Sequence, residues 1–473
     1  MKPVAIIGAG ITGLTAAFYL KRRSIPVTVY EAGSRAGGVI QSVRKQGYLA
    51  ECGPNTILET SPKIAQLVRD AGLESRRLYS DPKAGDRYGV CDKRPALMPE
   101  SVFGFFTTGA FSARAKFSVL REPFVPPRRD GKEESIAEFV LRRLGREFLD
   151  RAIDPMVAGV YAGDPWKLSV LHAFPKLKAL EDKYGSLVRG QIFGAHERKR
   201  RGEISKDRAP KFSFDEGLQV LPDALAANLG DAVKLNSPVK KLAQMENGWR
   251  ISSSSGEMEH SAVIYCGTAY RLAELKVEIG RAGSPLPADG AHGVTRPANR
   301  IDFTAFSEIR YPPVASVVLG FRREDVAHPC QGFGMLIPKV EGFKMLGTIF
   351  SSSLFPNRAP AGHLTLTSYL GGERQPELAS LSVDKLVELT CEDLRVLLGV
   401  HGEPTFVHCV VYPRAIPQYN LGYGRYRGVL TEIEDRAPGL FFAGHYRDGI
   451  SLGDSILSGC NMAERVGKSL TAK

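Results

Sequence analysis

The chain has 473 residues, 43% of them hydrophobic, which is enough to build two or three domain cores. It contains no run of 18 or more apolar residues, so a transmembrane helix is not expected. The net charge of +12 comes without a nucleic-acid-binding motif, so nucleic acid is not expected as a partner. Seven scattered cysteines without C-x-x-C or zinc spacing predict free thiols in a reducing compartment and no metal site.

The chain begins with the pattern of a strand, a phosphate-binding turn and a helix. Val4–Ile7 is a short apolar run typical of a buried parallel strand, and a helix is predicted over Leu14–Lys21. Between them Gly8, Gly10 and Gly13 have G-x-G-x-x-G spacing. These glycines allow a tight turn, close approach of the backbone to a pyrophosphate, and packing of the helix on the strand. The N–H groups at the start of the helix would face the phosphates, and Ile11 and Thr12 of the glycine turn are expected to contact the cofactor.

A carboxylate and an arginine-glycine motif follow the second predicted strand, Val27–Tyr30. Glu31 stands at the spacing at which an acid binds the ribose hydroxyls, and such an acid disfavours the 2′-phosphate of NADP. The pattern E-x-x-x-R-x-G-G, with Arg35, Gly37 and Gly38, resembles flavoproteins of the amine oxidase group and favours FAD over NAD. The alternative is a surface turn with a solvated arginine.

The predicted elements indicate an α/β fold whose composition changes several times along the chain. Residues 1–84 are α/β, 85–205 are helical, 206–275 hold a helix and a β-meander, 276–425 are mixed, and 426–473 return to the cofactor. The further elements predicted are helices at Leu221–Leu229, Asp384–Leu398 and Ser455–Leu470, and strands at Trp249–Ser252, Ala262–Tyr265, Val314–Gly320 and Leu364–Leu370.

Two segments of the helical block are rich in basic residues, and one of them is also rich in phenylalanine. Residues 103–124 interleave six phenylalanines with Arg114, Lys116 and Arg121, a pattern that suits either a membrane interface or a hairpin facing the core. The basic run at 196–201, HERKRR, is either a solvated loop or a site of attraction to anionic lipid or an acidic substrate.

The C-terminal segment 440–459, LFFAGHYRDGISLGDSILSG, has the features that a flavin requires. Ser451 and Asp454 have S-x-x-D capping spacing ahead of the last predicted helix, whose positive end would stabilise charge developing on the isoalloxazine. Gly444 would let the backbone approach the diphosphate. The residues expected against the flavin are Gly449, Ile450, Ser451 and Leu452. An ordinary capped terminal helix is the alternative.

Six stretches spread over the chain resemble the oxygen-dependent protoporphyrinogen oxidases, in family order. They are ECGPNTI (51–57), GVYAGDPWKLSVLHAFPKLKALEDKYGSL (159–187), FDEGLQVLPDAL (214–225), QGFGMLIP (331–338), YLGGERQPE (369–377) and FFAGHYRDGISLGDSI (441–456). The resemblance implies a Rossmann-type FAD-binding domain (1–84, 206–275 and 426–473), a helical membrane-association domain (85–205) and a mixed-sheet substrate domain (276–425). It also implies oxidation of a porphyrinogen by FAD, with oxygen as acceptor and hydrogen peroxide as product.

The same resemblance implies roles for individual residues. Arg87 matches the arginine that binds a propionate, for which a planar guanidinium is well suited. The residues expected to line the substrate pocket are Gly159, Phe333, Gly334, Leu336, Ile349 and Tyr369, although the family often has a smaller or sulfur-containing side chain at Tyr369. The further residues expected to contact FAD are Ala32, Gly53, Pro54, Asn55, Thr56 and Val239. No residue is expected to act as a nucleophile, because the flavin performs the chemistry.

Three alternatives share parts of these motifs. A carotenoid desaturase or a flavin amine oxidase would have both termini but lack the AGDPWKLS…AFPKL stretch. A prenyl-binding escort protein would have the fold without the complete flavin motif. The substrate could also be coproporphyrinogen III, with four propionates. The expected location is cytoplasmic, on the inner face of a membrane, with a homodimer as a possible assembly.

Overall fold

The structure is a computed structural model that describes residues 1–99, 102–200, 209–280 and 299–471. The side chains at 102–103, 195–200 and 299 are outside this description. The side chains of the basic run predicted at 196–201 and the domain boundary expected between 205 and 206 therefore lie outside the described residues.

Twenty-two strands occur in the described residues. In chain order they are β1 (Val4–Ile7), β2 (Val27–Tyr30), β3 (Ser42–Lys45), β4 (Tyr48–Glu51), β5 (Ile57–Leu58), β6 (Arg77–Tyr79), β7 (Arg87–Cys91), β8 (Arg94–Leu97), β9 (Lys211–Phe214), β10 (Val233–Lys234), β11 (Val239–Met245), β12 (Gly248–Ser253), β13 (Gly256–His260), β14 (Ala262–Tyr265), β15 (Lys276–Ile279), β16 (Asn299–Ile301), β17 (Val314–Arg322), β18 (Gly334–Leu336), β19 (Met345–Phe350), β20 (His363–Gly371), β21 (Phe406–Tyr412) and β22 (Leu440–Phe442).

Sixteen α-helices occur in the same residues. They are α1 (Ile11–Arg22), α2 (Pro62–Asp70), α3 (Val102–Thr107), α4 (Ala113–Arg121), α5 (Ile136–Leu144), α6 (Arg146–Phe148), α7 (Asp154–Tyr161), α8 (Val170–Ala173), α9 (Pro175–Tyr184), α10 (Leu187–Arg200), α11 (Val220–Leu229), α12 (Ala269–Leu272), α13 (Ser351–Leu354), α14 (Val383–Leu398), α15 (Gly424–Arg436) and α16 (Leu452–Thr471). Among the described residues, no helix is both long enough and apolar enough to cross a membrane.

A parallel five-stranded sheet joins the two ends of the chain. Its order is β10-β2-β1-β14-β22, so a strand at residues 440–442 pairs with β14, which pairs in turn with β1 at the N-terminus. Strands β2, β14 and β22 are buried along their whole length, as expected for a parallel sheet covered on both faces. Helices α1 and α16 pack against each other beside this sheet.

A seven-stranded mixed sheet forms a second unit, in the order β21-β17-β20-β19-β18-β7-β8. The order corrects the expected limits of the helical block, because β7 and β8 lie inside the range 85–205 and yet belong to this sheet. Tyr88 and Val90 of β7 pack with Met335 of β18 in the same apolar cluster, which is why the segment joins the sheet. Strands β15 and β16 lie in the range 276–425, which was expected to form the substrate domain. They instead extend the sheet of β11, β12 and β13.

A buried ionic network holds the helical block together. Arg143 of α5 has a fully buried side chain. Its Nη1 lies 2.5 Å from Glu122 Oε1, and its Nε lies 2.7 Å from Glu181 Oε1. Glu122 also accepts hydrogen bonds from the backbone of Leu187 and Val188, at the start of α10. Burial alone would raise the pKa of Glu181, but hydrogen bonds from nearby cations, among them Arg143, outweigh burial and lower this pKa to about 2.

We expect Arg143→Met to destabilise the protein by about 3–5 kcal/mol, because it leaves two buried carboxylates without their shared cation. The matched control is Arg146→Met, whose solvent-exposed pair with Asp150 is screened by water and contributes little to stability. Denaturant unfolding of both variants beside the wild type measures the difference. The stabilisation from Glu181 is present at neutral pH and lost as pH falls from about 4.5 toward 2, because its folded-state pKa is lowered. Equal midpoints for the two variants would contradict this account.

Candidate functional site

The glycine turn after β1 leaves space next to the start of α1. Gly8 has a φ of 105°, and a Cβ on Gly13 would collide with the carbonyl oxygen of Gly8, so neither position accepts a side chain. Gly10 has an extended backbone (φ −70°, ψ 174°), and no heavy atom lies within 4 Å of the position that its Cβ would take. Among the described residues, no side chain caps the N-terminus of α1. The N–H groups at the start of this helix therefore face an open cradle suited to a diphosphate.

Glu31 holds one edge of this cradle in shape, the edge at which the sequence predicts the ribose. Its Oε2 accepts a hydrogen bond from the backbone N of Ala9, and its Oε1 accepts one from Gly33, both at 2.8 Å. The backbone N of Ser237 bonds to the carbonyl of Glu31. This bond brings the segment that leads to Val239 next to Glu31, which follows the end of β2. Ala32 is the next residue in the chain after Glu31. The predicted carboxylate, Ala32 and Val239 are thus at one edge of the site.

Arg35 shapes the glycine loop that follows. Its guanidinium donates to the carbonyl oxygens of Ala36, Gly38 and Ile40, at 3.1, 2.6 and 3.0 Å. The backbone N of Gly37 bonds to Ala9 O, and a Cβ on Gly38 would lie 3.4 Å from Gly10 Cα. The loop therefore packs directly on the phosphate-binding turn. The Arg35 guanidinium is thus bonded to the backbone of its own loop.

The C-terminal motif meets this cradle from the other side. Ser451 Oγ accepts a hydrogen bond from Asp454 N at 3.1 Å, and Asp454 Oδ2 accepts one from Ser451 N at 3.4 Å, so the predicted cap of α16 is present. Gly444 and Gly449 have φ of 118° and 128°. A Cβ on Gly449 would lie 2.7 Å from Asp454 Oδ2, so glycine is required there. Ile450 and Leu452 are partly buried against the two largest apolar clusters.

The cradle fits FAD. It combines glycines whose missing side chains leave open space, an uncapped helix start for the diphosphate, a carboxylate at the ribose edge, and a second helix start at α16. These features come from both ends of the chain, as the glycine-rich motifs predict.

The stretch 53–56 connects the cradle to the seven-stranded sheet. Asn55 Nδ2 donates to the Tyr369 hydroxyl at 2.5 Å and to Gly53 O at 3.3 Å. A Cβ on Gly53 would lie 2.5 Å from Val39 O, so the stretch packs on the loop after Arg35. Pro54 and Thr56 flank Asn55 and are partly exposed. Burial raises the pKa of Tyr369, so its hydroxyl stays protonated.

The predicted substrate residues lie on one face of four neighbouring strands. Arg87 of β7 is in register with Gly334 of β18, which is in register with Ile349 of β19. Tyr369 of β20 is in register with Gly347 of β19. Side chains alternate along a strand, so Arg87, Gly334, Ile349 and Tyr369 share the face opposite the cluster that contains Tyr88 and Met335.

Helix α7 covers part of this face. Gly159 of α7 packs on Leu336, because a Cβ at position 159 would clash with Leu336 Cδ2. Two further predicted pocket residues are therefore in contact. Phe333 and Ile349 both pack against a small cluster that includes Leu354 and Phe355. The structure thus brings together all seven predicted substrate residues around one sheet face.

A group of tyrosines behind the flavin motif was not predicted. The Tyr419 hydroxyl accepts a hydrogen bond from Gly449 N at 3.1 Å and donates to the carbonyl of His445. The Tyr423 hydroxyl donates to Tyr446 O at 2.6 Å, and Tyr311 OH lies 3.3 Å from His445 Nε2. Burial lowers the pKa of His445 to about 4, so this imidazole is neutral at physiological pH. The only sequence signal is the run of aromatic residues at 419–426.

Comparison with known proteins agrees with this geometry. The model of the family "flavin containing amine oxidoreductase" matches residues 11–467. The chain belongs to this family. It is 36% identical to protoporphyrinogen oxidase 2 of Arabidopsis thaliana, over 98% of this chain and 94% of that protein. It is 28% identical to coproporphyrinogen III oxidase of Bacillus subtilis (strain 168), over 97% and 96%. The resemblance seen in the sequence is confirmed, and so is FAD as the cofactor.

Solved structures support the fold. A crystal structure from Exiguobacterium sp. 255-15, provisionally named a protoporphyrinogen oxidase, aligns with a TM-score of 0.79 at 22% identity, over 99% of both chains. Putrescine oxidase bound to putrescine aligns with a TM-score of 0.67 at 16% identity, over 100% of this chain and 99% of that one. Because oxidases of unlike substrates share the fold, the fold alone does not select the substrate.

We expect Gly10→Ala to lower FAD content at least tenfold while the apoprotein folds as the wild type does. The backbone of Gly10 suits alanine, and the new Cβ would enter only the open cradle. Gly109→Ala is the control, because that exposed glycine also has open space around its Cβ position. Flavin absorbance per protein and circular dichroism are measured on all three proteins. Normal FAD content in Gly10→Ala would show that the cradle does not hold the diphosphate.

Proposed function

We propose that this oxidoreductase converts protoporphyrinogen IX to protoporphyrin IX, with oxygen as the acceptor and three hydrogen peroxide molecules formed per porphyrin. The proposal rests on one observation: four of the predicted pocket residues, Arg87, Gly334, Ile349 and Tyr369, share a face of the seven-stranded sheet, and Tyr369 is bonded to Asn55 of the cofactor stretch. The similarity to plant protoporphyrinogen oxidases along nearly the whole chain supports the same assignment.

The chain's own residues bind and orient the macrocycle. Bound FAD supplies the hydride-accepting chemistry. Phe333, Leu336 and Ile349 offer an apolar wall for the pyrroles, and Gly334 keeps the wall flat beneath them. Arg87, on the adjacent strand, offers a planar cation for a propionate. Since the wall and the cofactor stretch are joined through Tyr369 and Asn55, the bridging carbon that loses hydride is positioned relative to the flavin.

Coproporphyrinogen III is the alternative substrate, supported by the similarity to the Bacillus subtilis and Staphylococcus aureus coproporphyrinogen III oxidases. Aerobic turnover of the two porphyrinogens by the purified yellow protein tests the proposal. We expect protoporphyrin fluorescence to appear faster than coproporphyrin fluorescence, with three hydrogen peroxide molecules formed per protoporphyrin. Faster turnover of coproporphyrinogen III would reverse the order, and failure to oxidise either with FAD bound would refute the proposal.

We predict that Arg87→Ala raises the KM for protoporphyrinogen about tenfold or more without changing FAD content, because the propionate loses its charged partner. Arg94→Ala is the matched control, since it removes an exposed arginine from the neighbouring strand β8. Steady-state kinetics and flavin absorbance measure both effects. An unchanged KM in Arg87→Ala would exclude it as the propionate anchor.

We also propose that the helical block rests on a membrane surface through an apolar patch. The patch is formed on α4, the short turn after it, and α10 by side chains that are 59–79% exposed: Phe117, Leu120, Phe124, Ile192 and Phe193. The turn and α10 are joined through Glu122, so these apolar side chains come from neighbouring elements. Exposed apolar side chains beside Arg114, Arg121 and Arg189 suit an anionic lipid interface.

The double variant Phe117→Ser and Phe124→Ser should bind anionic vesicles at least tenfold more weakly, because two large apolar side chains no longer enter the interface. Val396→Ser, at an equally exposed position on α14, is the control. Co-sedimentation with phosphatidylglycerol vesicles measures binding. Equal sedimentation of wild type and double variant would contradict the proposal.

A further inference from the structure

A lysine outside all the predicted motifs lies between the cofactor cradle and the pocket wall. Lys211 is the first residue of β9, the central strand of the small sheet β5-β9-β6. It is in register with Leu58 of β5, two residues beyond the cofactor stretch 53–56. The carbonyl oxygen of Leu58 lies 3.0 Å from the position that a Cβ on Gly453 would take, at the start of α16. Lys211 is therefore one strand away from the flavin end of that helix.

The side chain of Lys211 reaches Phe333 of the proposed pocket wall. Its Nζ lies 5.9 Å from the centre of the Phe333 ring, within the range of a cation–π contact. Phe333 is followed by Gly334, which pairs with Arg87 on the adjacent strand, and adjacent strands are about 4.8 Å apart. One aromatic ring of the proposed pocket wall thus has a lysine over it and an arginine on the strand beside it.

We propose that Lys211 is a second carboxylate-binding residue of the porphyrinogen site, and that Arg87 and Lys211 each bind one of the two propionates. This inference rests on the proposed function and makes it more specific. A dianionic macrocycle in an apolar pocket loses hydration at both carboxylates, so each requires a charged partner. Arg87 alone can pair well with only one of them. Lys211, on a different sheet, places a second cation at the same ring without disturbing the flat wall of β18 and β19.

The competing explanation is that Lys211 acts on the flavin, since its strand neighbour Leu58 contacts the start of α16. The two roles predict different ligand dependence. A carboxylate partner affects only ligands with free carboxylates, whereas a residue acting on the flavin changes the flavin spectrum and affects all porphyrins alike. Porphyrin binding to the FAD-loaded protein separates the two roles without relying on turnover.

The experiment compares the wild type with Lys211→Met, a neutral variant of similar length, and Lys211→Arg, which keeps the charge. Binding of protoporphyrin IX and of its dimethyl ester is followed by porphyrin fluorescence. We expect Lys211→Met to weaken protoporphyrin IX binding about tenfold and to leave binding of the diester unchanged. Lys211→Arg should retain most of the affinity. Lys83→Met, at an exposed position of the turn before β7, is the control for loss of one positive charge.

The comparison of diacid with diester is made within each variant, so partial unfolding of a variant does not mimic the expected result. Equal affinities of wild type and Lys211→Met for protoporphyrin IX would overturn the inference, as would equal weakening for diacid and diester. An altered flavin spectrum with unchanged porphyrin affinity would assign Lys211 to the flavin instead. If the wild type binds neither porphyrin while FAD is bound, the proposed function fails, and this inference fails with it.

Discussion

The contact between the first and last helices is the constraint on which the site depends. Thr12 Oγ1 of α1 donates to Ser455 O of α16 at 3.1 Å, across a sequence separation of 443 residues. The two helices approach this closely because residue 459 is glycine, whose Cβ would lie 2.5 Å from Thr12 O. Both helices begin beside the cradle, so their N-terminal ends converge on it. Separation of these helices would remove the diphosphate site and the flavin site together.

The two faces of the seven-stranded sheet have different roles. One face packs against α14 and carries a continuous apolar cluster. The other face carries the proposed pocket residues and is joined to the stretch 53–56 by the bond between Asn55 and Tyr369. A shift of β20 by one residue would turn Tyr369 to the buried face and break this connection. Packing on one face therefore fixes the position of the pocket relative to the flavin.

Local sequence patterns were sufficient for the parts of the fold that depend on periodicity and turn chemistry. Val4–Ile7, Val27–Tyr30 and Ala262–Tyr265 are strands with the predicted bounds, and the Ser451–Asp454 cap is present. The helix predicted from Asp384 begins one residue earlier. In each case the signal lies within the segment itself, so no tertiary information was needed.

The remaining features depend on contacts that the sequence does not encode locally. The residues around Arg87 were assigned to a helical block, because nothing within β7 shows that its partner is β18, nearly 250 residues later. The carbonyl partners of Arg35 become evident only once its loop is folded. Tyr419 and Lys211 were missed for the same reason, since each reaches the site from another part of the chain.

The most direct test of the central claim, that the sheet face and the cradle form one porphyrinogen-oxidising site, is anaerobic mixing of the FAD-loaded protein with protoporphyrinogen IX. Excluding oxygen removes the acceptor, so the flavin can be reduced only by the substrate. We expect the oxidised flavin absorbance to disappear in a single rapid phase, which is slower in Arg87→Ala at low substrate concentration. A flavin that stays oxidised in the presence of excess protoporphyrinogen and coproporphyrinogen would contradict the account.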